Sequence, residues 1–188
     1  MTSDELYSLV QQIVVAVTGL PGTRVIKADQ TAPAPQGEYA TVDTKRTSSM
    51  RGQAIIRMGN TPLVDSPIGQ VHNVEHDIRP QMVTQVSVNF YRGNAHDHAA
   101  DLLEANKRPD ISEMLFLAGA GWQQAGPIND LTALQSAQHE PRAQVTIYLM
   151  HERTQTVETN AIYSTSVVVE NESGDEIETI NTDAPVGA

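Results

Sequence analysis

The 188-residue chain has no cysteine. That excludes a disulfide scaffold, a cysteine nucleophile, a thiolate zinc finger and an iron–sulfur centre, and it leaves the redox compartment open. Basic residues are scarce: 12 Lys and Arg stand against 23 Asp and Glu, a formal charge of −11. With no Lys/Arg surplus to release counterions, nonspecific binding to nucleic-acid phosphates is disfavoured, although an acidic surface past which DNA slides is not. Long hydrophobic runs are missing as well. Ile13 to Val17 falls far short of the ~20 residues a membrane-spanning helix needs, and the N-terminus opens on Asp4 and Glu5 rather than a basic stretch. Synthesis and assembly in the cytosol are therefore expected. There is no G-x-S-x-G elbow, no P-loop, no G-x-G-x-x-G after a strand, and no repeat or low-complexity tract.

What is present suffices for one domain, which at this length buries roughly 70% of the surface its unfolded chain exposes. Leu6, Leu9, Val10, Ile13, Val14 and Val17 recur at helical spacing; Thr2 and Glu5 form a capping-box pair before them, and Gly19 with Pro21 ends the helix. Two short β-like runs follow, Arg24 to Ala28 and Tyr39 to Asp43, joined by a connector that Pro33 and Pro35 stiffen. Residues 44–79 read as a long arm or hairpin seeking a partner outside the monomer. From Met82 to Phe90 the period is two, predicting a half-buried strand. Ala95, Ala99, Leu102 and Leu103 make the next helix, ended by Pro109. Asp110 and Glu113 are spaced as an N-cap pair for a short third helix carrying Ile111, Met114 and Leu115, and Gly119 and Gly121 read as its stop and turn. Val145, Ile147 and Leu149 mark another strand, and Ile162 to Val169, Gly174 and Ile177 to Ile180 a hairpin. The order predicts an α+β domain, a mostly antiparallel sheet with helices on one side.

Two clusters resemble metal chemistry. His72, Glu75 and His76 match H-x-x-E-H, but that motif works on a helix, and Val71, Val74 and Ile78 favour a strand in which Glu75 points away from the histidines. His96, Asp97, His98 and Asp101 lie on a helix where residues two apart diverge, so they read as polar surface. No catalytic, metal or cofactor-binding residue is expected; a zinc-dependent hydrolase is the remote enzymatic alternative. Charge is uneven. Residues 154–188 carry seven acids and no base, and six of those acids lie within residues 170–183.

Three segments taken in order, "DQTAPAPQGEYATV" (29–42), "VSVNFYRGNAHDHAADLLEA" (86–105) and "ISEMLFLAGAGWQQAGPINDLTALQSAQHEPRAQVTIYL" (111–149), resemble the neck or tail terminator proteins of tailed bacteriophages over residues 4–150. The resemblance implies a tail-terminator-like domain over 1–153 with the arm 44–79 inserted, and an acidic C-terminal β-hairpin extension at 154–188 that it does not cover. Glu38 stands where that family usually has Pro, which is expected to loosen the connector. The implied function is a non-enzymatic virion protein, a homo-hexameric ring at the head–tail junction. Such a ring ends the tail tube and joins it to portal or adaptor, tube and sheath proteins, and DNA passes through it without sequence-specific binding. A twelvefold adaptor bound directly to the portal is the alternative. No membrane partner is implied. Arg46, Arg51, Ile55, Ile56, Arg57 and Met58 are the expected subunit interface, and Glu170, Glu172, Asp175, Glu176 and Glu178 the expected acidic border of the DNA channel.

Overall fold

A computed structural model describes the chain apart from residues 30, 32, 61–63, 67–68, 136–137, 162–163 and 184–188. The elements run α1 (Ser3–Thr18), a 3-10 turn (Gly22–Arg24), β1 (Val25–Lys27), β2 (Tyr39–Met50), β3 (Ile55–Asn60), β4 (Val64–Ser66), β5 (Gly69–Arg79) and β6 (Gln81–Tyr91). Then come α2 (Ala95–Glu104), a second 3-10 turn (Ala105–Lys107), α3 (Pro109–Leu117), β7 (Ala120–Ala125), β8 (Asn129–Asp130), β9 (Ala133–Gln135) and β10 (Gln138–Glu140). The last strands are β11 (Arg142–Glu152), β12 (Gln155–Ala161), β13 (Ser164–Glu170) and β14 (Glu176–Asp183). The chain is α+β, as the sequence predicts. It divides into two units, one of residues 1–53 and 80–153, the other of residues 54–79 and 154–188.

The first unit is built on a sheet of order β1-β2-β6-β11-β7, with β8 also on β11. Its pairs are antiparallel except β1 with β2. Register sets the core. Ala40, Phe90 and Ala143 stand in one row across three strands, Val42, Val88 and Val145 in the next, and Val86 beside Ile147 in the one after. Because side chains alternate along a strand, these rows share one sheet face. On that face pack Leu6, Val10, Ile13 and Val14 of α1, Ala99 and Leu102 of α2, and Ile111 and Leu115 of α3. Burying each large apolar side chain stabilises the fold by about 1.5–3 kcal/mol.

Local chemistry explains where the helices begin and end. The Thr2 backbone N–H donates to Glu5 Oε2 at 2.7 Å and the Glu5 N–H to Thr2 Oγ1 at 3.3 Å, the expected capping box. Gly19 closes α1 in the left-handed region at φ 72°. The start of α3 differs from the expected Asp110 cap: Pro109 occupies its first turn and Arg108 the cap position. Proline's fixed φ suits that place and starts the helix two residues earlier, and Asp110 instead receives two hydrogen bonds from Arg108, at 3.1 and 2.6 Å. Gly119 (φ 64°) is the expected stop, but the chain then pairs with β11 as β7 rather than continuing as a turn.

Glu38 does not loosen the connector. Its Oε1 accepts the Asn94 backbone N–H at 2.9 Å, at the start of α2, and its Oε2 lies 3.5 Å from His98 Nε2. That backbone hydrogen bond, first among the causes, holds the Glu38 carboxyl below the usual range. At Gly93 (φ 48°) an added Cβ would overlap Glu38 Oε1. Gly93→Ala is therefore expected to displace the Glu38 carboxylate and, with the backbone strain, destabilise the protein by about 1–2 kcal/mol. Denaturation of the double variant with Glu38→Ala checks this, since part of the Gly93→Ala loss should vanish once no carboxylate is there to displace.

The second unit is all β. Its larger sheet has the order β12-β5-β3, with β4 also on β5, and every pair is antiparallel. Here the arm and the start of the C-terminal extension meet: Val74 of β5 pairs with Thr159 of β12, and Ile78 with Gln155. Residues 44–50, read as the start of the arm, instead continue β2 within the first unit, ending with Met50 opposite Met82. The strands β13 and β14 form a separate hairpin, with Gly174 (φ 84°) at its turn.

Candidate functional site

The two motifs that resemble metal chemistry do not assemble a ligand set. The stretch His72–His76 lies on strand β5, where alternation sends Glu75 and His76 to opposite faces. His76 Nε2 instead shares a hydrogen bond with Thr159 Oγ1 at 2.9 Å, and the His72 side chain lies outside the described residues. On α2, His98 is not on the outer surface. Its ring packs 6.0 Å from that of Phe90, beside Glu38. Among the described residues no three His, Asp or Glu side chains converge on a common point.

A chain of hydroxyls comes nearer to a nucleophilic arrangement. Ser48 Oγ lies 2.8 Å from Thr84 Oγ1, which lies 2.9 Å from His151 Nε2. His151 is buried at the end of this chain of hydrogen bonds, next to the Glu152 backbone. Burial pushes its pKa below the ordinary 6.5. The unfolded chain therefore binds a proton there before the folded one does, so this contribution to stability is lost as pH falls through 6.5. Thermal denaturation from pH 7.5 down to 5 should show a decline that is smaller in His151→Gln.

The sheet face opposite the core is polar and closely bonded. Gln144 Nε2 donates to Ser87 Oγ at 2.8 Å and Arg142 to Asn89 Oδ1 at 3.2 Å, which buries Ser87 and Asn89 on the side of the strand expected to be exposed. At one end of this face four side chains stack. The Arg92 guanidinium lies 5.4 Å from the Tyr39 ring, Tyr39 and Tyr91 are parallel with centroids 4.5 Å apart, and Arg142 lies 4.9 Å from Tyr91. Arg92 also donates to Glu140 and to the Pro35 carbonyl, at 2.7 and 2.9 Å. The stack thus ties down the proline-rich connector.

Unsatisfied apolar surface lies elsewhere. On β3, Ile55, Ile56 and Met58 are 50%, 54% and 73% exposed. On the C-terminal hairpin, Val167, Val168, Val169 and Ile180 are 40–49% exposed. Phe116 and Leu117, at the end of α3, are 81% and 76% exposed. Sequence reading singled out the first set alone. The helix-end pair had a signal, because Leu115, Phe116 and Leu117 in succession cannot all face one core. Of the six expected interface residues, the structure places Ile55, Ile56, Arg57 and Met58 together on β3. Arg51 belongs to the first unit, where its backbone N–H donates to the Gln81 carbonyl at 2.7 Å and its Nη1 meets Met150 Sδ at 2.9 Å. Arg46 lies on β2, with its side chain outside the described residues. The five expected channel acids share the hairpin and are exposed: Glu170 on β13, Glu172 and Asp175 at the turn, Glu176 and Glu178 on β14. No helix among the described residues is long and apolar enough to cross a membrane.

Among the described residues, apolar surface is gathered on a strand, a hairpin and a helix end, the kind of surface that contacts with other proteins use. A comparison with curated proteins finds no match. The profile of one family, described as phage neck terminator protein, matches residues 4–186, and so takes in most of the extension that the sequence resemblance left uncovered. The chain belongs to the phage neck terminator proteins, structural components of the virion's head–tail junction.

Proposed function

We propose that the chain works without enzymatic chemistry as a closed homo-oligomeric ring, six copies around the DNA path, that ends the tail tube and joins it to the portal or adaptor. The observation that carries this reading is the composition of the second unit. None of the buried apolar residues falls in residues 54–79 or 154–188, so among the described residues this unit has no hydrophobic core of its own. Three or more strands need an apolar face packed against something to be stable in water, and Ile55, Ile56 and Met58 are exposed in the single chain. A neighbouring subunit supplies the missing cover, and a heterologous contact repeated by rotation closes into a ring. Arg57, on the same strand, adds a polar contact at that interface. The five exposed acids of the hairpin have two places in such a ring. They can border the channel, where like charge keeps phosphates from sticking, or join the subunit contact, and their apolar neighbours favour the second. Mass photometry and negative-stain images of the purified chain test the reading. Closed sixfold rings are expected. Twelvefold rings would move the protein to the adaptor position, and a chain that stays monomeric even with tail tubes added would overturn the proposal.

A further inference from the structure

The hairpin β13–β14 is built like a segment meant for another surface. Among the described residues it pairs with no strand but its own, and an isolated two-stranded ribbon is marginal in water. Val167 stands opposite Ile180, with Val169 on the same face, while Val168 points to the other. Apolar side chains on both faces do not suit a ribbon bathed by solvent. Glu170 and Glu176 also stand directly opposite each other, a like-charge pair that weakens the hairpin until a cation lies against it.

The arm has complementary properties. Strand β3 carries one base, Arg57, and no acid, whereas residues 154–188 carry seven acids and no base. Strand β3 is hydrogen-bonded to β5 along one edge alone among the described residues, which leaves a row of backbone donors and acceptors beside Ile55, Ile56 and Met58. The chain's own hairpin cannot reach that edge. In the order β12-β5-β3 the open side of β3 lies three strand spacings from β12, about 14 Å. The three residues from Ala161 to Ser164 span at most about 10 Å.

We infer that the β13–β14 hairpin of one copy docks along the open edge of β3 in a second copy, its valines covering Ile55, Ile56 and Met58 and its acids meeting Arg57. The inference rests on the ring reading and names the contact that closes the ring. Charge reversal in the full chain tests it. One variant carries Arg57→Glu, another Glu170→Lys, Glu176→Lys and Glu178→Lys. Each alone sets like charges against each other at every contact and is expected to raise the half-assembly concentration by at least about tenfold. An equimolar mixture of the two is expected to assemble again, because an alternating ring with an even number of subunits matches opposite charges at every contact. Recovery in one chain bearing all four changes, without recovery in the mixture, would mean docking within a chain and overturn the inference. Unchanged assembly of both variants would place the acids elsewhere, as at the channel, and overturn it while leaving the ring reading intact. Wild-type chain that never oligomerises would overturn the ring reading and the inference with it. Circular dichroism of each variant, read against wild type, confirms that lost assembly is not lost folding.

Discussion

Phe90→Ala is expected to lower the unfolding free energy by about 3–5 kcal/mol, a large part of the 5–15 kcal/mol typical of a domain. Phe90 is the largest of the fully buried side chains. Its cross-strand neighbours on the core face are Ala40 and Ala143, and Ala95 and Ala99 of α2 are buried in the same core. Methyl groups cannot swing into a vacated aromatic site, so the cavity stays open and the loss should fall at the upper end of the range. Phe116→Ala serves as the control. The same side chain is removed, but Phe116 is 81% exposed, and the change should stay within about 0.5 kcal/mol. Urea denaturation followed by the fluorescence of Trp122, the single tryptophan, reports the first unit, to which that residue belongs. A Phe90→Ala loss no larger than that of Phe116→Ala would contradict the core assignment.

The second large effect is on assembly. Ile56 and Met58 are two apart on β3 and share a face, 54% and 73% exposed in the single chain. In the proposed ring, replacing both with Ser removes about 3–6 kcal/mol of apolar burial from each subunit contact, more than a hundredfold in its equilibrium constant. Ring formation by Ile56→Ser/Met58→Ser should then be lost at concentrations where the wild type is fully assembled, as analytical ultracentrifugation would show. The Trp122 unfolding transition should be unchanged, because neither residue belongs to the core of the first unit. A variant that assembles as the wild type does would remove β3 from the interface.

These two predictions differ in how far the amino-acid sequence alone leads to them. The core positions were legible. In α1 the spacing of Leu6, Val10, Ile13 and Val14 identifies the buried side, and the alternation of Val86, Val88 and Phe90 and of Val145, Ile147 and Leu149 identifies the sheet face. The apolar group Ile55, Ile56 and Met58 stood out because it interrupts a polar stretch. The rest depends on partners far away in the chain. Ser87 and Asn89 looked solvent-facing until Gln144 and Arg142, more than fifty residues on, were seen to bond them. Glu38 looked like a lapse from a proline position until it was found at the start of α2.

By itself the sequence determined the helices, the strands β6 and β11, the acidic hairpin and the absence of a catalytic signature, because capping, turn chemistry and the periods of 3.6 and 2 are local properties. Tertiary structure alone decided that Ala120–Ala125 becomes a strand, that the arm and the start of the C-terminal extension share a sheet, and that Val167, Val168, Val169 and Ile180 of the hairpin stay 40–49% exposed. The physical reason is that strand pairing joins backbone groups whose separation in sequence is arbitrary. His72 and Ala161, partners across β5 and β12, carry nothing in their own neighbourhoods that names the other.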